Sequence, residues 1–172
     1  MSNTPPTPAA GPDEPRPKRP GVRLSADEAW AFIEAHHTGI VTTLRRDGVP
    51  ISLPVWFVAI DRQIYLTTPG GSKKVARIRH DDRASFLVEG GERWAELIAV
   101  HLTGRAAIVE GDEQLATRVG KAVEAKYASF RTAAAAMPDA TRKHYGQPPT
   151  LIRFTPDERI VSWDNARLFA PR

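Results

Sequence analysis

The chain contains no cysteine among its 172 residues, which excludes disulfides and thiolate metal sites. It also lacks any apolar run of about 18 residues, and its N-terminus has no apolar segment typical of a secretory signal. We therefore expect a cytoplasmic protein without membrane contacts. Neither G-x-G-x-x-G nor the Walker pattern G-x-x-x-x-G-K-[ST] occurs, so the two common nucleotide-binding signatures are absent as well.

Large apolar side chains are nearly absent from the first 22 residues, which hold seven of the 15 prolines. Such a segment cannot bury enough surface to offset the entropy lost on ordering, so we predict a disordered Pro-rich tail over residues 1–22. Residues 23–172 then form one domain, long enough to enclose a substantial core.

The net charge of +4 raises the question of nucleic-acid binding. Acidic residues are interspersed along the whole chain, however, and no basic helix, zinc-finger or RNP-like pattern is present. A basic nucleic-acid module therefore remains the weakest hypothesis, and we expect no nucleic-acid partner. A small anionic ligand explains the excess of positive charge more simply.

Short β-branched and aromatic runs between polar connections predict seven strands and two or three helices. The strands are predicted over 38–44, 51–60, 63–68, 84–88, 95–110, 151–154 and 160–163, with a hairpin at 61–62, a corner at Gly104 and a turn at 156–157. Helices are predicted from the Ser25–Glu28 capping box to about His36, over 72–80, and from Asp112 to about Phe130. The alanine run 133–136 could extend this last helix until Met137-Pro138 stops it. Short connections between strands indicate an antiparallel β-barrel of the α+β class.

The segment from Thr67 to Lys74 has the features of a phosphate site. Pro69-Gly70-Gly71 ends a strand, Ser72 is placed to cap the next helix, and Lys73 and Lys74 occupy its first turn. Lysines there oppose the helix dipole, whereas a bound anion would be held by amide, hydroxyl and ammonium groups together. The alternative interpretation is that both lysines are ordinary solvated surface residues.

Pro54 interrupts the preceding strand pattern. Proline cannot donate a hydrogen bond to a strand ladder, so it predicts an edge strand or a bulge. Either arrangement leaves backbone groups available to a ligand.

Candidate catalytic side chains are few. His36 and His37 are adjacent, and adjacent residues on a helix do not face each other, so they do not form a two-ligand metal site. His101 lies on a predicted strand and His144 in a predicted loop, and no nucleophile or acid–base pair can be assigned. We predict no metal site and leave the catalytic residues unassigned, because a cofactor can carry the chemistry itself.

These segments, in this order, resemble the pyridoxamine 5′-phosphate oxidase-like superfamily of split β-barrel flavin and deazaflavin oxidoreductases. The resemblance runs from about Leu24 to Glu110 and rests on V-W-F, I-Y-L-T-T, S-K-K-V-A-R-I and D-D-R-A-S-F-L-V. It implies an α+β antiparallel split β-barrel of the FMN-binding type with flanking helices. It also implies a homodimer with the cofactor at the subunit interface.

The resemblance implies two groups of cofactor-binding residues. The family element T-x-x-x-S-[RK]-K, which binds the cofactor phosphate, falls on Thr67, Thr68, Ser72, Lys73 and Lys74. The strand that lies along the ring system falls on Ser52, Val55 and Trp56.

The implied function is an oxidoreductase that transfers a hydride to or from a small conjugated organic substrate. Its cofactor would be the deazaflavin coenzyme factor 420 (8-hydroxy-5-deazaflavin), which the V-W-F strand and short chain favour, or FMN, which fits the S-K-K element equally. The extended C-terminal substrate motif of true pyridoxamine phosphate oxidases is missing, so that activity is not expected. The alternative is a non-catalytic flavin, haem or tetrapyrrole binder on the same barrel. Trp94 and Trp163 are further candidate ring covers, or packing residues.

Overall fold

The computed structural model describes residues 21–146 and 149–169, which form a seven-stranded antiparallel sheet and four α-helices. The strands are β1 (Thr38–Leu44), β2 (Pro50–Trp56), β3 (Val58–Ile60), β4 (Gln63–Pro69), β5 (Arg83–Gly90), β6 (Ile98–Val109) and β7 (Pro149–Asp164). The helices are α1 (Ala26–Ala35), α2 (Lys73–His80), α3 (Glu113–Tyr127) and α4 (Asp139–Tyr145). Apart from Gly21 and Val22, the predicted tail over 1–22 lies outside the described residues.

The sheet closes on itself without completing its hydrogen-bonded ladder. Its strand order is β2-β1-β5-β6-β7-β4-β3, yet β2 contacts β4 across the remaining gap. Val55 of β2 packs against the same apolar cluster as Leu66 of β4. Packing rather than strand pairing therefore joins the two sides, and the predicted α+β split barrel is confirmed.

Three apolar clusters hold the helices on the barrel. Trp30 and Ile33 of α1 cover the main core, which includes Phe86 and Phe154. The α3 helix packs through Val119 on a second cluster. Val75 and Ile78 of α2 close the third, which also contains Leu66 and Ile152. The longest described helix, α3, has 15 residues, and no described helix is both long and apolar enough to cross a membrane.

Local sequence signals set several of these elements as predicted. Ser25 and Glu28 form the capping box that starts α1. Asp61 and Arg62 both have positive φ angles, 52° and 56°, as a two-residue hairpin turn between β3 and β4 requires. The predicted hairpin turn at 61–62 is therefore confirmed, and it joins β3 to β4.

The prediction of a single strand over 51–60 was wrong, because this run forms two strands, β2 and β3. Trp56 ends β2, which pairs with β1, and Val58 begins β3, which pairs with β4. Between them, the buried Tyr127 hydroxyl accepts from the Phe57 amide at 2.8 Å and also lies 2.8 Å from the Phe57 carbonyl oxygen. The Phe57 amide is thus satisfied by a side chain of α3, and the ladder changes partner there.

The predicted turn at 156–157 was also wrong, because β7 runs unbroken from Pro149 to Asp164. Its pairing with β6 moves from Leu102↔Ile160 to Gly104↔Pro156, so three β7 residues lie opposite Thr103 alone. A β-bulge therefore absorbs the extra residues while the strand continues. The Thr103 hydroxyl donates to Asp157 across the bulge at 2.7 Å.

Two further helix predictions need correction. The helix from Asp112 ends at Tyr127 and is followed by separate single turns, so the alanine run does not extend it. His144 lies in α4 rather than in a loop. Pro138 is the N-cap residue of α4. Proline is compatible with the start of a helix, although it ends a helix that precedes it in the chain.

Gly104 supports the bulge because nothing larger fits there. A Cβ at this position would lie 2.2 Å from the Thr155 carbonyl oxygen. We expect Gly104→Ala to lower the free energy of unfolding by about 1–3 kcal/mol, since the clash is with backbone and the two strands must separate to relieve it. Urea denaturation measures this loss.

The matched control is Gly120→Ala within α3, where nothing lies within 4 Å of the added Cβ. Because alanine favours a helix interior over glycine by roughly 1 kcal/mol, this variant should be stabilised. Equal stability of the two variants would contradict a structural role for the close approach at Gly104.

Candidate cofactor site

The N-terminus of α2 forms a polar cradle at the end of β4. The Ser72 hydroxyl accepts from the Val75 amide at 3.4 Å and caps the helix as predicted. The Thr68 hydroxyl donates to the Ser72 hydroxyl at 3.3 Å. Two adjacent hydroxyl groups therefore lie beside first-turn amides that have no partner within the helix.

Positive charge runs along α2 from this end, with Lys73 and Lys74 in the first turn and Arg77 in the last turn. Lys74 is half-buried, and burial lowers its pKa from the ordinary 10.5, with repulsion from Arg77 lowering it further. The Arg77 guanidinium donates through Nε to the buried Thr43 hydroxyl of β1 at 2.8 Å. The first turn of α2 contains no acidic residue. The cradle therefore holds cations that a bound anion would neutralise.

The ring-binding strand predicted from the resemblance is the edge strand β2. Within the described residues it pairs only with β1, so alternate residues direct their backbone groups away from the sheet. Ser52 is exposed, and its hydroxyl lies 2.9 Å from that of Thr42. The prediction that Pro54 marks an edge strand is confirmed.

Trp56, at the end of β2, is partly exposed on one side and packs against Tyr127 on the other. Its ring stacks on Tyr127 at 4.4 Å between centroids and 11° between planes, while 44% of the residue stays exposed. Tyr127 is itself fully buried, and its hydroxyl accepts from the Phe57 amide and donates to the His37 carbonyl at 2.6 Å. This network holds the indole in one orientation.

The structure brings some of the predicted residues together and leaves others apart. Thr68 and Ser72 touch, and Val55 packs on the apolar cluster of α2, which links the ring strand to the cradle helix. Thr67 and Lys73 are exposed, and strand alternation directs Thr67 to the opposite face of β4 from Thr68. Of the predicted set, Ser52 and Trp56 make their contacts with β1 and α3 instead.

The remaining candidates lie elsewhere. Trp94 is 64% exposed and packs edge-on against Phe169, and Trp163 is on β7 opposite Ala99. His101 is a half-buried residue of β6, paired between Leu87 and Val161. In the part of the chain that the structure describes, no group of three or more metal-binding side chains is assembled.

Arg77 and Tyr127 are site residues that sequence analysis missed. Arg77 lies three residues after Lys74, on the same face of the helix, so helical spacing alone would have added it to the cradle. Tyr127 continues the apolar series Val119 and Val123 at intervals of four, which would have identified it as buried. Its contact with Trp56 depends on tertiary packing and has no local signal.

A phosphate-bearing ring cofactor fits this arrangement. The cradle supplies neutral donors and cations of low exposure, as an anion requires. An open-edged strand with a fixed indole at its end supplies a flat apolar surface with backbone donors and acceptors. These two parts are linked because Val55 packs against the apolar cluster that contains Val75.

Comparisons with known proteins agree with this fold. The chain is 34% identical over 90 residues to a biliverdin reductase of Mycobacterium tuberculosis that depends on reduced coenzyme factor 420. That match covers 51% of this chain and 61% of the reductase, so it spans under two thirds of the relative. A conserved hypothetical protein of Mycobacterium tuberculosis superposes with a TM-score of 0.72 at 31% identity, covering 88% of this chain and 91% of that one.

A more distant structure shows how widely the fold is used. The heme storage protein of Vibrio cholerae superposes with a TM-score of 0.62 at 14% identity, covering 80% of this chain and 94% of that chain. At that identity the likeness concerns the fold alone. The sequence model of the family described as pyridoxamine 5′-phosphate oxidase matches residues 25–161, which is most of the chain. With the split barrel in place, this match shows that the chain belongs to the pyridoxamine 5′-phosphate oxidase family.

Proposed function

We propose that this protein is an oxidoreductase that binds coenzyme factor 420 or FMN between the α2 cradle and β2. The observation that carries the proposal is the half-buried Lys74 at a serine-capped helix start with no acid in the first turn, where Arg77 of the last turn adds to the positive charge. Such a cluster is costly in a protein without an anion, and the phosphate of either cofactor would neutralise it.

Each part of the site has a separate task in this proposal. Thr67, Thr68, Ser72, Lys73 and Lys74 hold the phosphate, and Ser52, Val55 and Trp56 border the ring. When bound, the cofactor supplies hydride transfer to or from a small conjugated substrate. The protein positions the ring against β2, and the Trp56–Tyr127 stack keeps one aromatic face ready for a planar group.

The deazaflavin is the preferred cofactor. The relative that depends on reduced coenzyme factor 420 is 34% identical over its matched part, and this supports the same cofactor here. That relative is a biliverdin reductase, and this supports a conjugated substrate class. FMN remains the competing cofactor because the cradle recognises a phosphate rather than a ring.

Spectroscopy and turnover test the proposal. The purified full chain is titrated with FMN and with reduced coenzyme factor 420, and cofactor binding is followed by absorbance and fluorescence. We expect tighter binding of the deazaflavin, followed by oxidation of its reduced form when quinones, unsaturated ketones or biliverdin are added. Binding without turnover over this panel would support the non-catalytic binder, and no binding of either cofactor would overturn the proposal.

We further propose that a second copy of the chain completes the site. Leu53 is 39% exposed and Trp56 is 44% exposed, so β2 presents apolar side chains next to the ring surface. A homodimer that covers this strand would shield the reacting atoms from water. Analytical ultracentrifugation is expected to give a dimer, and Leu53→Glu should shift it towards monomer while weakening cofactor binding.

Cofactor affinity should depend on pH through Lys74. Burial lowers the pKa of Lys74 in the free protein, and a bound phosphate would raise it again. Affinity is therefore greatest below the lowered pKa and falls as the pH rises through it, because the neutral amine no longer attracts the anion. Dissociation constants measured above pH 7 check this trend.

The matched variant is Lys74→Arg, whose guanidinium stays charged throughout this range. Its affinity should decline less over the same interval, so the two curves diverge as the pH rises. Parallel curves for wild type and variant would assign the pH dependence to the cofactor instead.

A further inference from the structure

A second cluster of arginines lies at the opposite end of α2 from the cradle. A groove of about 540 Å³ is lined there by Arg79 of α2, Arg105 of β6 and Arg153 of β7. None of these residues belongs to the proposed cofactor site. The groove therefore needs a separate explanation.

Two of the three arginines already have partners at the surface. Arg79 contacts Glu110 at 3.1 Å, and Arg105 contacts Asp82. More than half of each side chain in these pairs is exposed. Exposed pairs of this kind contribute little to stability, so either carboxylate is readily exchanged for another anion.

Arg153 takes part in no such surface ion pair among the described residues. Its Nε atom is buried, yet it has no hydrogen-bond partner in the described structure. Its cross-strand neighbours are Ala107 of β6, whose side chain is apolar, and Tyr65 of β4, whose hydroxyl donates to Gln63 instead. A buried, unpaired charged donor is costly, so a guanidinium that turns towards an anion in the groove gains a partner that the protein does not provide.

The edge of β6 adds a neutral donor to the same groove. β5 begins at Arg83, opposite Arg105, so β6 continues past the end of its neighbour. The Ala106 amide points to this edge and donates to the Asp82 carbonyl. Because the direction alternates along an antiparallel strand, the Ile108 amide lies on the same edge. Ile108 is one of the residues that line the groove.

We propose that this groove is a second anion site, in which the Arg153 fork and the β6 edge bind a phosphate or carboxylate group. The planar guanidinium presents two parallel donors, which match the oxygens of either group. Arg79 and Arg105 line the same groove and add positive charge, which Glu110 and Asp82 partly offset. The site is independent of the cofactor cradle, because the two lie at opposite ends of α2.

Arginine Nε resonances in the uniformly ¹⁵N-labelled full chain provide the test. Inorganic phosphate and citrate are titrated separately at constant ionic strength, with chloride as the balancing ion. We expect the Arg153 signal to shift and saturate with one or both ligands, which also shows whether a phosphate or a carboxylate is preferred. No shift at Arg153, or the same shift with chloride, would mean an adventitious ion only and would overturn the proposal.

Variants separate this site from the cradle. Arg153→Gln should abolish the saturable binding, and Arg153→Lys should weaken it by about tenfold, because the charge remains but the fork is lost. Arg159→Gln, an exposed arginine on the same strand, should bind as wild type. In a Lys74→Ala background the groove should still bind phosphate. Within the Lys74→Ala background, equal phosphate binding with Arg153 and with Arg153→Gln would disprove the second anion site. That result would not bear on the proposed cofactor site.

Discussion

Replacing Lys74 with alanine is expected to weaken cofactor binding roughly ten- to a hundredfold. A hydrogen bond to a charged group contributes on the order of 1.5–3 kcal/mol, and each ~1.4 kcal/mol corresponds to a factor of ten in affinity. Lys74 is half-buried, so its contact with a phosphate would be less screened than one at the surface. Isothermal titration of the deazaflavin and FMN measures the loss.

The neighbouring lysine gives a graded comparison. Lys73→Ala should weaken binding less, because that side chain is exposed at the rim of the cradle. Lys121→Ala, an exposed lysine of α3, should have no effect. Without cofactor, the Lys74→Ala variant should have the same free energy of unfolding as wild type or a slightly higher one. The substitution removes a positive charge from the N-terminus of α2, where the helix dipole is already positive. Identical dissociation constants in all four proteins would restore the interpretation of solvated surface lysines.

Much of the cradle was predictable because its signals are local. Pro69-Gly70-Gly71 ends β4, and the Ser72 hydroxyl caps α2 as its position after those residues suggests. The turn at Asp61 and Arg62 is equally local. Helical spacing would also have placed Arg77 beside Lys74, although the predicted set did not include it. Its bond to the Thr43 hydroxyl joins residues 34 positions apart and needs the folded barrel.

The barrel closure was harder to predict because it depends on contacts between distant segments. The run over 51–60 is continuous in hydrophobicity, and nothing within it marks Phe57 as the point where the ladder changes partner. The cause lies 70 residues away in the Tyr127 hydroxyl. The bulge in β7 is similar, because a Pro-Asp pair usually indicates a turn, whereas here Gly104 of β6 lets the strand continue.

These contacts connect the stability of the barrel to the shape of the site. Tyr127 satisfies the backbone where β2 ends and β3 begins, and its ring supports Trp56. Burial raises the pKa of Tyr127, so the hydroxyl stays protonated and keeps its donor at neutral pH. One α3 side chain therefore fixes both the split in the sheet and the aromatic surface next to the proposed ring.

Tyr127→Ala is expected to lower the free energy of unfolding by about 3–5 kcal/mol, the range found when a buried aromatic ring is removed from a core. Tyr127→Phe keeps the ring but leaves the Phe57 amide and the His37 carbonyl without this partner, which should cost about 1–3 kcal/mol. Chemical denaturation followed by tryptophan fluorescence measures both values. Phe130→Ala, an exposed aromatic residue that packs near Tyr127, is the control and should change stability little.

The same variants separate stability from binding. Below the unfolding transition, Tyr127→Phe should bind the cofactor nearly as wild type, because the stack with Trp56 persists without the hydroxyl. Tyr127→Ala removes the support behind the indole, so Trp56 becomes mobile and affinity should fall by about fivefold, since ordering a side chain on binding costs on the order of 1 kcal/mol. If cofactor affinity were equal in the two variants, Trp56 would not depend on Tyr127 for its orientation. The Trp56 surface would then have no part in holding the ring.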